Sequence, residues 1–135
     1  MVHLVESTEG ITSEQLKGFF VGWPDPPSPE MHLRILHGSA AIVLAVDDAT
    51  QQVVGFVTAV SDGVLAAYIP LLEVLPAWQG QGIGTRLVER MLQRLAHLYM
   101  IDLLCDATVQ PFYATLGMQP ATGMFVRNYA RQSGA

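Results

Sequence analysis

Twelve consecutive residues have the types and order to hold an anion: Val74-Leu75-Pro76-Ala77-Trp78-Gln79-Gly80-Gln81-Gly82-Ile83-Gly84-Thr85. An apolar, strand-like run enters a glycine-rich turn and passes directly into an amphipathic helical pattern. Glycine lets backbone approach a phosphate closely, and the first N–H groups of a helix lack intrahelical partners and carry the positive end of its dipole. Diphosphate is the natural guest. Two familiar phosphate loops are excluded by single residues. The ATP-binding P-loop needs Gly-Lys-Ser/Thr, whereas Gly84 is followed by Thr85 and Arg86; the Rossmann pattern Gly-x-Gly-x-x-Gly breaks at Thr85, where its third glycine should stand.

The remaining reactive residue types are scattered. Cys105 lies in an apolar run with no basic neighbour to lower its pKa, which reads as a buried structural thiol. His32 and His37 are five residues apart, do not share a helical face, and read with His3 and His97 as surface or partly packed side chains; no metal site is expected. Arg86, Arg90 and Arg94 recur every four residues after the glycine turn, as on a solvated helix face, although Arg86 at the helix start can reach a phosphate.

The elements that must position the turn alternate along the chain. His3 to Glu6 reads as a strand, and Thr12 to Phe20 as a helix opened by a Thr12–Gln15 capping box. Gly22 to Pro29 is a proline-rich, extended connector, with Trp23 a candidate pocket wall, before a helix from Glu30 to His37. Ala40–Val46, Gln52–Val60 and Val64–Leu75 form an antiparallel meander, turning at Asp47–Thr50 and Ser61–Gly63. Ile83, Leu87, Val88, Met91, Leu92, Leu95 and Leu98 recur at helical spacing after the turn. Ile101–Cys105 reads as a buried strand, Val109–Leu116 as a short helix ended by Gly117, and Gly123–Tyr129 as a final strand.

Gln79, Gly82 and Gly84 fit Gln/Arg-x-x-Gly-x-Gly/Ala, and Pro111-Phe112-Tyr113-Ala114-Thr115-Leu116-Gly117-Met118 is similar to a Phe-Tyr-x-x-x-Gly-Phe segment. With the strand end Val74-x-Pro76 before the turn and a helix after it, the chain resembles the GCN5-related N-acetyltransferases (GNAT), most strongly from Val53 to Met118. The resemblance implies a mixed α/β fold in one domain over residues 1–135: a central, mixed, twisted sheet with an antiparallel N-terminal meander, flanked by helices. It implies acetyl-CoA as co-substrate, bound in preference to ATP or NAD, and direct attack of a small-molecule or peptide amine on the thioester.

The same resemblance assigns residues. Amides of Gly80, Gln81, Gly82, Ile83, Gly84 and Thr85 would bind the diphosphate, with Gln79 and Arg86 beside them. Backbone of Leu72, Glu73 and Val74 would pair with extended pantetheine. A strand bulge would leave an N–H near Leu75 free to stabilise the developing oxyanion, and Pro70, which cannot donate a ladder bond, independently implies irregularity in that strand. Tyr113 would protonate the leaving thiolate, its phenol being protonated at neutral pH with a pKa of ~10. Asp106 stands seven residues before Tyr113, where many relatives carry a cofactor-binding asparagine; an ionised carboxylate donates nothing, so that role does not transfer. The general base is missing, because relatives place glutamate or histidine at positions that are Tyr68 and Pro70 here. Tyr68 can order a water wire and Glu73 is the nearest carboxylate, but simple alternation puts them on opposite faces unless a bulge intervenes.

Composition sets the outer bounds. The chain has 135 residues, 50% hydrophobic and 14% charged, with net charge −5. One cysteine excludes an internal disulfide, and the negative charge disfavours nucleic acid and suits a cationic amine. The longest apolar run is too short for a membrane span, and the opening residues lack a basic signal start, so the expectation is cytoplasmic. High apolar and low charged content implies covered surface, and a homodimer through Met124 and Val126 is the expected cover. Two other readings stay open: a CoA-binding sensor or interaction protein without turnover, and a regulatory phosphate- or nucleotide-binding module that leaves the Phe-Tyr segment unexplained.

Overall fold

The computed structural model covers residues 1–135. Five strands form one sheet in sequential order: β1 (Val2–Val5), β2 (Ala41–Asp47), β3 (Val53–Ser61), β4 (Ala66–Val74) and β5 (Met100–Asp102). The first four are antiparallel neighbours, and β5 joins β4 in parallel after the crossover helix α2 (Ile83–Arg94). Helix α1 (Pro29–Gly38) follows the connector, and α3 (Gln110–Ala114) follows β5. The sheet is mixed and flanked by helices, as expected.

Both faces of the sheet are covered, which is why β2 reads as a continuous apolar run and is buried along its whole length. Gly55 on β3 seats α2: a Cβ there would stand 3.0 Å from Leu87 Cδ1 and 3.3 Å from Ile83 Cγ2. Residues of the opposite parity, Phe56 and Thr58, face the N-terminal segments. Helix α1 starts where Pro29 fits the first turn and Ser28 caps it, its hydroxyl accepting from Met31 N–H at 3.1 Å. At the β3–β4 turn, Asp62 accepts from the N–H groups of Val64 and Leu65 at 2.8 Å each, and these bonds hold its pKa below the usual carboxylate range.

The buried strand expected at Ile101–Cys105 is only β5, Met100–Asp102, with Met100 and Asp102 exposed and Cys105 partly exposed. Four further expectations are corrected. Of the helix expected from Thr12 to Phe20, only a short 3-10 turn at Ser13–Leu16 forms; the capping contact is present, with Gln15 Oε1 accepting from Thr12 N–H at 2.8 Å, but Gly18 at φ +97° ends any continuation. The Gly123–Tyr129 segment is not a strand: β5 stops at Asp102, leaving no long edge to pair with, and only a 3-10 turn at Tyr129–Arg131 follows. Arg90 and Arg94 are not a free solvated face. Both bond Glu6, at 2.9 and 3.1 Å, and Arg94 also donates to Ile42 O at 2.7 Å, clamping α2 to the end of β1.

The fourth correction concerns His32. It is 1% exposed, neither ring nitrogen has a hydrogen-bond partner, and its ring packs against Phe19, Phe20 and Phe56 with centroids 5.3, 5.0 and 4.3 Å away. Burial lowers its pKa to about 4. An unfolded histidine titrates near ~6.5, so the unfolded chain binds a proton that the folded chain refuses. The stability contributed by neutral His32 is therefore complete above about pH 6.5 and is lost as the pH falls toward about 4. Urea midpoints should decline across that window in the native chain and flatten in His32→Phe; an unchanged slope in the variant would place the sensitivity elsewhere.

Candidate functional site

The register of β3 and β4 slips once. Thr58 pairs with Leu71 and Val60 with Tyr68, so Ala59 alone opposes Ile69 and Pro70. The bulge lies on β4 at the proline that cannot serve the ladder. Because Phe56, Thr58 and Val60 share one face of β3, their partners Glu73, Leu71 and Tyr68 share one face of β4. The bulge thus brings Glu73 and Tyr68 to the same side.

Beyond Tyr68, β4 and β5 part, since their parallel pairing covers only Ala66–Tyr68 against Met100–Asp102. Leu75 N–H donates to Val54 O at 2.8 Å, which corrects the expectation of a free amide at Leu75. That bond also sets the parity of the ladder: Glu73 and Leu71 bond toward β3, while the N–H and C=O groups of Leu72 and Val74 point to the side β5 has left. Gln79 confirms the direction, its Nε2 donating to Val74 O at 3.0 Å.

The strand end runs into the glycine turn through a 3-10 turn at Pro76–Trp78. Gly80 and Gly82 have φ of +79° and +80°, and a Cβ on either would meet nothing within 4 Å. The cradle is therefore open. Gly82 caps α2, and the first intrahelical bond is Arg86 N–H to Gly82 O at 3.1 Å, so the amides of Ile83, Gly84 and Thr85 have no helical acceptor. Arg86 is exposed and makes no ion pair, unlike Arg90 and Arg94.

Helix α3 abuts this turn through Phe112. A Cβ on Gly84 would stand 3.7 Å from the Phe112 ring and 3.8 Å from Val74 Cγ2. Tyr113 stacks edge-on against Phe112 at 5.0 Å. Its half-buried phenol has a pKa raised first by burial and secondarily by the neighbouring Cys105 thiol, and no hydrogen bond contributes. Asp106 is exposed before the 3-10 turn that leads into α3, and its side chain caps nothing.

A cleft of about 460 Å³ lies along the same stretch of β4 and includes the open edge, since Leu72 and Val74 belong to its lining. Val21, Trp23 and Phe56 form one wall, Pro70 and Glu73 the β4 side, and Gln79 the end nearest the glycine turn. Tyr113 and Asp106 do not line it. The wall is fixed by a contact that sequence reasoning missed: Glu73 Oε1 accepts from Phe20 N–H at 2.8 Å and Oε2 from Val21 N–H at 3.3 Å. Phe20 sits at φ +63°, a strained conformation for a bulky residue, and its ring supports Trp23 at a centroid distance of 4.9 Å. No local pattern announces a carboxylate that bonds backbone fifty-odd residues away. His32 was misread as surface or partly packed, although a local signal existed: it lies four residues before buried Leu36 on one helical face.

Glu73→Ala should loosen the connector, lowering stability by about 1–3 kcal/mol, the range for bonds to a charged acceptor, and speeding proteolysis between Gly22 and Pro27. Glu73→Gln keeps one acceptor oxygen and should lose less. Equal protease sensitivity of the native chain and Glu73→Ala would show that the carboxylate does not hold the wall.

The chain matches the model of the Acetyltransferase (GNAT) family over residues 8–118. It is similar to a crystal structure of a candidate acetyltransferase from Deinococcus radiodurans R1, with 50% identity and a TM-score of 0.96 over 99% of this chain and 93% of that one. A GNAT-family acetyltransferase from Streptococcus pneumoniae TIGR4 shares 29% identity with a TM-score of 0.72, over 95% of this chain and 98% of that one. GCN5-related N-acetyltransferase 1, chloroplastic, of Arabidopsis thaliana is 30% identical over 118 residues, covering 84% of this chain and 59% of its own length. The chain spans less than two thirds of the length of such curated relatives. No helix is long and apolar enough to cross a membrane. Motif, sheet topology and matched span agree: the chain belongs to the acetyltransferase (GNAT) family.

Proposed function

We propose that this chain is an acetyl-CoA-dependent N-acetyltransferase acting on a primary amine by direct attack. One observation carries the reading: the backbone edge of β4 left open at Leu72 and Val74 leads into an uncovered glycine turn at the start of α2. An extended amide-bearing chain fits the first and a diphosphate the second. When bound, acetyl-CoA supplies the activated acyl group. Leu72, Glu73 and Val74 offer backbone along its path, the amides of Gly80 through Thr85 and the Arg86 guanidinium face the phosphates, and Gln79 gives up or shares Val74 O. The oxyanion donor moves from Leu75 to Leu72 or Val74, whose amides point to the open side.

Tyr113 holds the proton for the leaving sulfur. Its raised pKa keeps the phenol protonated throughout the neutral range, the state an acid needs. Tyr68, on the Glu73 face, orders water for the amine's proton in this reading, and Asp106 is an acceptor beside α3. Glu73 is a poor candidate for general base, because both its carboxylate oxygens are engaged by the Phe20 and Val21 N–H groups. That engagement also favours the second reading, a CoA-binding sensor with little turnover. Acetyl-dependent release of free thiol in the presence of amines separates the two.

Tyr113→Phe should lower acetyl transfer by about 10²–10⁴-fold, the usual contribution of a positioned acid, with CoA affinity little changed. Unchanged turnover where chemistry limits the rate would return Tyr113 to packing.

A homodimer remains part of the proposal. Met124, Phe125 and Val126 are 94%, 66% and 92% exposed on the segment that follows Gly123, which packs against Leu104. Three consecutive exposed apolar residues favour a partner, and a second copy is the simplest one. Light scattering should give twice the mass of a single chain, reduced to one chain by Met124→Glu with Val126→Glu. A monomer throughout the micromolar range would refute the dimer.

A further inference from the structure

The lining of the connector cleft carries information about the acceptor. No Lys, Arg or His lines it, so a phosphorylated amine would leave its phosphate without a partner. Its only charged side chain is Glu73, and its other side-chain polar groups are the Gln79 amide and the Trp23 indole N–H. A polycation or a polyhydroxylated sugar would bring more charges or hydroxyls than these can satisfy, and each unpaired buried polar group is costly. What the cleft does offer is one fixed negative charge beside a broad apolar wall. Each Glu73 oxygen keeps a lone pair beyond its bond to Phe20 or Val21 N–H.

The wall is preorganised. Trp23 leans on Phe20, Phe20 packs on His32 and Phe56, and Phe19 closes the cluster against both. Glu73 fixes the backbone at the root of the same wall. An aromatic face backed by rigid neighbours, with a carboxylate at its foot, suits a cation whose substituent is flat or bulky and apolar.

We infer that the acceptor is a small primary amine with a single positive charge and one aromatic or branched apolar group, the apolar group lying on Val21 and Trp23 and the ammonium toward Glu73. This inference rests on the acetyltransferase reading. In the reaction one N–C bond forms and the thioester C–S bond breaks; of the two protons the ammonium loses, one goes to the sulfur and one to water.

The test uses the full chain and free-thiol release from acetyl-CoA. Phenethylamine and isopentylamine should exceed ethylamine in kcat/KM by at least about tenfold, the low end of what added methylenes contribute in an apolar site. Both should also exceed spermidine, kanamycin, glucosamine 6-phosphate and an alanine-initiated peptide. Trp23→Ala should remove most of the phenethylamine advantage, mainly through KM, and Trp23→Phe should restore part of it. Stabilisation by CoA in a thermal melt shows that each variant is folded and tests the cofactor reading separately. A native chain that CoA does not stabilise fails that reading. A CoA-stabilised chain that prefers a polycation, sugar phosphate or peptide, or is indifferent to the apolar group, overturns the acceptor inference alone; one that acetylates no amine in the panel overturns it together with the turnover reading, in favour of the sensor.

Discussion

Strands β4 and β5 stay paired for only three residues before they part, and the site is a consequence of that parting. A backbone N–H or C=O in a strand needs a partner, and one left unmade inside a protein costs about 1–3 kcal/mol. Val74 O is satisfied by the Gln79 side chain, a neighbour that can swing away. The amides at Leu72 and Val74 have no strand to meet. Such an edge is stable only where water or a ligand reaches it, and the gap admits both. Phe112 and Val74 flank the first turn of α2, so the helix whose first amides lack helical acceptors is held against the same open edge.

The bulge at Ile69–Pro70 is the second device, and it works on the sheet face beside that edge. Without it, Glu73 and Tyr68 would point to opposite sides of the sheet; with it, both face the connector. Glu73 then reaches two backbone amides of the connector's root and fixes a wall that otherwise has few ties. Sheet irregularity, carboxylate and aromatic cluster form one chain of causes, from a proline that cannot donate to a pocket with a rigid side. His32 belongs to that chain as a neutral packing group, since nothing near its ring nitrogens compensates a charge.

Much of this was legible before the fold. The glycine turn, the meander, α2 and its apolar face, and irregularity at Pro70 all follow from local residue types, because each is decided within a few residues. The latch from Glu73 to Phe20 was not legible, since it joins segments brought together only by the whole sheet. Alternation alone misplaced Glu73 relative to Tyr68, as one extra residue inverts the parity of everything beyond it. The final strand failed for a tertiary reason: Gly123–Tyr129 has strand-like composition, but β5 is too short to offer an edge. Arg90 and Arg94 looked like a solvated face because their partner, Glu6, lies more than eighty residues away.

The central claim is that the open edge of β4 and the glycine turn form one continuous ligand track. Amide hydrogen exchange with and without CoA measures it residue by residue. The account predicts that CoA slows exchange at Leu72 and Val74 together with Gly82, Ile83 and Gly84, and leaves Leu75, already bonded to Val54, nearly unchanged. Protection confined to the glycine turn, with Leu72 and Val74 exchanging as before, would contradict it.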